Sequence, residues 1–456
     1  MSRINMKNKI ILILATFLLV LTACEQWVDP GLNNDPTKPS DVSLNVLLPT
    51  TQSYYAFLQG GDVFRFSNMF TQHLTGILRQ HAGIYQYVFT ESDVDNLWNS
   101  LFADAMQNMN ILIEKSKASS SPYYQGMGEV MMALAIGTTT DLWGDVPFSE
   151  AFQGEANLTP KYDTQEQIYN KIFELLNSAI ANFAATSSTF TPAGDDLIFK
   201  GDKAKWTKAA YSLLARYYLH LKRYDDALNA VAKAQAAIGD DFIFNFGTKG
   251  NEANPIYQFM EQRGDISMGA VLMKIMNDVN DPRLPFFAEK DPNDKYSEES
   301  TLGPYYYRSE APIHFTTFSE MKFIEAECKL AKADKKGAYD AYIAGIKASC
   351  ARYGVAQADI DAFVEDPSIA VGENNIDLEK IMTQKYVAMY CTPETWVDWR
   401  RTNFPKLNPI SGTQIPRRFP YSQSERLFNG ASLQAAVPDA GSANFIFSEM
   451  WWDKMW

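Results

Sequence analysis

A mainly α-helical fold is predicted, in which a scaffold of antiparallel helix pairs supports long irregular loops rich in aromatic residues, with few short strands. Three observations carry this expectation. Apolar residues recur at the helical period through several segments, two of those segments repeat one pattern of small and large residues, and the stretches between are crowded with Gly, Pro, Asn and aromatic side chains.

The chain opens with Arg3, Lys7 and Lys9, an apolar run from Ile10 to Leu21, then Thr22, Ala23 and Cys24. This is the three-part order of a secretory signal, and its apolar run is well short of the roughly 20 residues that span a bilayer. The ending "LTAC" resembles the bacterial lipoprotein signal, in which the cysteine becomes the first mature residue and its sulfur is acylated. Residues 1–23 are therefore expected to be removed, Cys24 to carry the lipid, residues 24–45 to serve as a lipidated tether and 46–456 to form a single domain. Each buried methylene of an acyl chain contributes about 0.8 kcal/mol, so multiple acylation is a durable anchor.

In "MGEVMMALAIGTTTDLWGDVP", Met127, Val130, Met131, Leu134 and Ala135 form the stripe of a packed helix, which Gly144 and Pro147 end. In "DTQEQIYNKIFELLNSAIANF", Thr164 and Gln167 have capping-box spacing, and Ile168, Ile172, Leu175, Leu176, Ala179 and Phe183 mark the buried face. Two later segments superimpose. Ala215 and Tyr218, followed by Ala227, Val231 and Ala234, occupy the offsets of Ala326 and Lys329, followed by Ala338, Tyr342 and Gly345. Small residues where two helices touch, with larger ones beside them, form the tetratricopeptide pattern. Residues 31–50, 76–96, 184–204, 240–265, 285–318 and 403–448 do not read as helix; loops of that length in a compact domain usually carry function.

Charge and cysteines narrow the function. Loss of the three basic signal residues moves the formal charge from −13 to about −16, which argues against nucleic acid because phosphate neutralisation needs a basic face. After Cys24 there remain Cys328, Cys350 and Cys391, an odd number without a metal-site spacing; for Cys328 and Cys350, which sit in helix-like runs, burial as small hydrophobes is expected in preference to a bridge between them.

From the lipobox onward the chain resembles the SusD/RagB-type outer-membrane lipoproteins of the Bacteroidetes. The resemblance rests on the order of "NNDPTKPSDVSLNVLLP", "DLWGDVPFSEA", "NDPRLPFF", "FSEMKFIEAEC", "LEKIMTQKYVAMYCTPETWVDWRRTNFPKL", "IPRRFPYSQSE" and "MWWDKMW". It implies a lipid-anchored, surface-exposed outer-membrane receptor without enzymatic activity that captures nutrient oligomers, commonly oligosaccharides. It also implies a partner, a SusC-like TonB-dependent barrel transporter that the helical repeats would face. No cofactor or metal is implied, and the family's variable ligand residues are not carried onto this chain.

Sugar capture calls for flat rings against C–H faces and a few polar groups for orientation. Two loops have that content: "RQHAGIYQYVFTESD", with Arg79, His81, Tyr85, Tyr87 and Phe89, and "LGPYYYRSEAPIHF", with Tyr305, Tyr306, Tyr307, Arg308 and His314. Each ring has a bland alternative, filling gaps between loops and helices. Trp396, Trp399 and Arg400 in "ETWVDWRRTNFP" are expected to be structural, a Trp–Arg stack with an ion pair to Asp398. A peptide-capturing or protein-docking lipoprotein is the alternative reading. A glycoside hydrolase is the least favoured: the chain lacks HExxH, GxSxG, Walker and GxGxxG motifs, although Asp141, Asp145 and Glu150 are carboxylates of the type such an enzyme needs. The acidic stretch Lys290 to Ser300 lacks the Gly of an EF-type loop and reads as a solvated turn.

Overall fold

In the computed structural model, residues 42–456 are described; the signal segment, Cys24 and the tether up to residue 41 lie outside the described residues. The helix Pro122–Trp143 is the hub, buried along nearly its whole length. Pro122 at its first turn suits the missing N–H, and Gly144, at φ 91° and ψ −117°, takes a positive-φ backbone that only glycine adopts readily and that stops it. Gln107–Ala118 packs on one side of the hub and Gln165–Phe183 on the other, with Lys203–His220 beyond. Thr164 starts the second of these as expected: its hydroxyl accepts from the Gln167 amide at 3.3 Å and the Gln167 side chain accepts from the Thr164 amide at 2.8 Å.

The two superimposable segments are helix pairs, Lys203–His220 with Tyr224–Val231 and Phe318–Ala331 with Lys335–Tyr353. Ala215, Ala227, Ala326, Ala338, Tyr342 and Gly345 lie in their buried seams. Gly345 is small for a reason, because a Cβ there would sit 2.9 Å from the Phe323 ring. The first pair is shorter than the pattern predicts. Its second helix ends at Val231, so Ala234 lies beyond it, and Gln235 instead donates to the Thr316 hydroxyl at 2.8 Å as the chain leaves the repeat.

The strands are few and short: β1 (Leu74–Gly76) with β5 (Ile266–Met268), β2 (Val146–Pro147) with β3 (Tyr162–Asp163), and β4 (Phe242–Asn245) with β6 (Pro312–Thr316), all antiparallel. Several segments expected to be irregular contain helix. Leu44–Leu58 runs through the end of 31–50 although Pro49 lies inside it, because Leu44, Leu47, Leu48, Thr51, Gln52, Tyr55 and Ala56 bury one helical face. Arg79–Tyr85, Pro255–Gln262, Gln423–Phe428 and Gly430–Ala436 are short helices in other such stretches. Residues Leu44–Trp456 form one compact unit, and no helix among the described residues is long and apolar enough to cross a membrane.

Cys328, Cys350 and Cys391 are buried and unbridged. The Trp396–Arg400 stack is structural: the guanidinium lies 4.0 Å from the ring centroid and donates to the carbonyls of Asp141 and Arg417. The expected ion pair is made by different residues. Asp398 pairs with Lys385 at 2.8 Å and with Arg401, while Arg400 is held by carbonyls.

Candidate ligand-binding face

Both aromatic loops meet at the helix Pro255–Gln262. Asn254 builds that helix by accepting from the Ile256 amide at 2.7 Å, and Pro255 fills its first position. On one flank the pairing of β1 with β5 leads the chain past Ile77, whose amide donates to the Asp265 carbonyl at 2.8 Å. Arg79 comes next at φ 51°, and its guanidinium holds the inaccessible Asp265 carboxylate, which Arg263 also grips at 2.9 Å. Burial works against the Asp265 charge, but the two guanidiniums outweigh it and hold the carboxyl below its usual range.

His81 lies behind this network, its Nδ1 3.4 Å from the Asp265 carboxylate and its ring against Phe259. Burial, aided by Arg65, pushes its pKa down to about 4, so it is neutral at pH 7. Tyr85 is half-buried with its hydroxyl at Thr75. Tyr87 accepts from the Ile410 amide at 2.9 Å, and Phe89 sits edge-on to Phe66, Phe70 and Phe419. Both are largely buried, yet each shows an edge to a cleft of about 590 Å³ that Arg426 and Phe445 to Phe447 complete.

On the other flank the three consecutive tyrosines diverge. Tyr306 is 2% exposed and donates to the Tyr390 carbonyl at 3.3 Å. Tyr305 is half-buried, bonded through its hydroxyl to His314 at 2.9 Å and packed on Tyr353. Tyr307 instead turns outward beside Tyr257, ring centroids 5.8 Å apart, and its hydroxyl donates to Glu261. Arg308 is exposed, 5.4 Å from the Tyr305 ring.

The structure therefore brings Arg79 and Tyr307 to opposite flanks of one helix and uses His81, Phe89 and Tyr306 as packing, the bland alternative for those rings. Sequence reasoning did not select Tyr257, Glu261 or Arg263, which complete the face. The dipeptide Asn254–Pro255 was the available signal, an N-cap followed by a first-turn proline.

The carboxylates considered for hydrolysis are each occupied. Asp141 is buried and accepts from Tyr169 at 2.7 Å and from Trp452 at 3.1 Å, Asp145 accepts from the Gln165 amide, and Glu150 pairs with Lys161. Among the described residues no group of three or more His, Cys, Asp or Glu is placed to hold a metal ion. In the Lys290 to Ser300 stretch, Asp291 accepts from the amides of Asn293 and Lys295 and from the Ser297 hydroxyl, closing a turn.

The fold has solved counterparts. A SusD/RagB family protein from Bacteroides thetaiotaomicron is 24% identical with a TM-score of 0.77, covering 91% of this chain and 99% of its own. A SusD homolog from Bacteroides fragilis is 20% identical with a TM-score of 0.76, covering 91% and 99%. A chitin-binding SusD homolog from Flavobacterium johnsoniae is 22% identical with a TM-score of 0.71, covering 90% and 97%. No curated protein matches. Similarity of this degree establishes the fold, whereas the family rests on the sequence match over residues 36–422: the chain belongs to the SusD-like family, described as starch-binding and associating with the outer membrane.

Proposed function

We propose that this protein is a lipid-anchored surface receptor that captures oligosaccharides and passes them to a TonB-dependent SusC-like barrel, without chemistry of its own. The observation that carries the reading is the pairing of Tyr257, on the helix Pro255–Gln262, with the outward Tyr307 beside it; the same helix presents Glu261, and Arg263 and Arg79 lie at its end. Flat rings accept the C–H faces of a sugar, and the charged groups along the helix suit its hydroxyls. The face is built on helix and strand ends, which suits recognition of an extended chain by several weak contacts. The chitin-binding name of a structural neighbour supports trying amino-sugar oligomers alongside starch fragments.

The test is titration of the full-length chain in detergent with malto- and chito-oligosaccharides of increasing length. Affinity should grow with length in one series, and Tyr257→Ala or Tyr307→Ala should each weaken it about tenfold, near the upper end of an aromatic contact's worth. Binding that both variants leave intact would place the ligand elsewhere, and a peptide ligand in place of a sugar would replace this reading.

A further inference from the structure

A second cleft, of about 350 Å³, lies across the Gln423–Phe428 helix from the one that Tyr87 and Phe89 edge. Its walls include Phe102, Phe152, Leu158 and Pro160, with the edge of Trp98 and several side-chain amides. Glu425 is the single charged residue that lines it.

The two outer rings are presented by unusual backbone. Phe102 lies in the π-helical turn Ser100–Met106, a wide turn that interrupts the helical ladder and is frequent at functional sites. Phe152 sits at φ 63°, in the left-handed region where a bulky side chain is a costly outlier. Together they set the two rings nearly parallel, 23° between planes, with centroids 6.4 Å apart.

Glu425 is more unusual still. Its carboxylate accepts from the Asn429 side chain and lies beside the Trp98 indole and the Tyr162 hydroxyl. Among the described residues no Lys, Arg or His pairs with Glu425; its neighbour Arg426 is turned to Glu91 at the other cleft. A partly desolvated carboxylate without a counter-ion is costly, and burial indeed pushes its pKa up. Aromatic faces offer negative potential to a cation as well. Glu425 is thus the one charged side chain lining the cleft, and the faces of its rings share that sign, which disfavours anions and leaves a cation as the complement.

We infer that this cleft is a second binding site, for a compact organic cation of the alkylammonium class, seated against Phe102 and Phe152 and countered by Glu425. The site is separate from the oligosaccharide face and does not depend on it. Because the bound cation favours the ionised carboxyl, affinity falls as pH is lowered through the Glu425 titration.

Choline and its uncharged isostere 3,3-dimethylbutan-1-ol, titrated calorimetrically into the full-length chain in detergent, test this. Choline should bind at least tenfold more tightly than the alcohol. Glu425→Gln, which keeps an acceptor for Asn429, should abolish that preference, and Phe152→Leu, with its ring removed, should weaken choline about fivefold. Equal binding of the two probes, binding of neither, or choline affinity unchanged in both variants would overturn the inference.

Discussion

Tyr306 and Tyr307 are adjacent in sequence and opposite in role. The Tyr306 ring is wedged against Phe64, Tyr305 and Tyr390, so truncation removes a filled core volume. Tyr306→Ala should cost about 3 kcal/mol of unfolding free energy, whereas Tyr307→Ala should leave the urea midpoint unchanged and act on ligand affinity. A second residue-scale effect concerns pH. Burial lowers the His73 pKa to about 3, against 6.5 for an exposed imidazole. Between those values the unfolded chain binds a proton that the folded chain refuses, so this contribution to stability is complete above pH 6.5 and declines as pH falls toward 3. His73→Phe should therefore gain on the wild type by about 2 kcal/mol between pH 7 and pH 5, measured by urea unfolding at each pH. A gap independent of pH would mean that His73 takes up its proton as readily in the fold as in the unfolded chain.

Among the elements, helix ends and helix seams fix the scaffold. The Thr164–Gln167 box closes two free amides at the start of Gln165–Phe183, and Thr164→Ala should lower stability by about 1 kcal/mol. At the seam of the last repeat, Gly345→Ala places a Cβ within 2.9 Å of Phe323, and a packed core yields to that at a cost of about 1–3 kcal/mol. Denaturant melts of both variants check these values; a neutral Gly345→Ala would mean that the seam has slack. These elements were legible in the sequence because their causes are local. Capping residues lie three apart, and a buried stripe repeats each turn. Pro255–Gln262 and Leu44–Leu58 were not legible for the complementary reason. The first is eight residues long, too short for a period to show, and the second carries Pro49, which reads as a breaker until the packing on its buried face is known.

The molecule as a whole ties its last repeat to the helices that follow it through buried charge. Arg401 binds Glu327 of the last repeat and Asp398, which also takes Lys385, so the repeat is tied to the C-terminal segment through paired ions in the buried interior. Removing one partner strands another charge, and Glu327→Leu should cost about 3–5 kcal/mol, far more than the loss of an exposed pair. At this scale also belongs the proposed lipid attachment: if Cys24 carries the anchor, Cys24→Ser should release the protein from the membrane fraction. Retention of the variant in the membrane would assign attachment to another surface.

The amino-acid order by itself determined the features that local rules and family pattern govern: the mainly helical class, the paired repeats, the buried cysteines and the lipobox pattern ending at Cys24. Tertiary structure alone decided which aromatic residues face outward. Tyr305, Tyr306 and Tyr307 have the same chemistry and no periodic strand or helix to assign them sides, so each side chain takes its place from distant partners, His314, Tyr390 and Glu261 respectively. The same is true of Glu425, one ordinary carboxylate among 54 acidic residues until folding sets it among aromatic rings with no cation paired to it among the described residues. Solvation and pairing of a side chain depend on what the rest of the chain brings to it, and that information is not local.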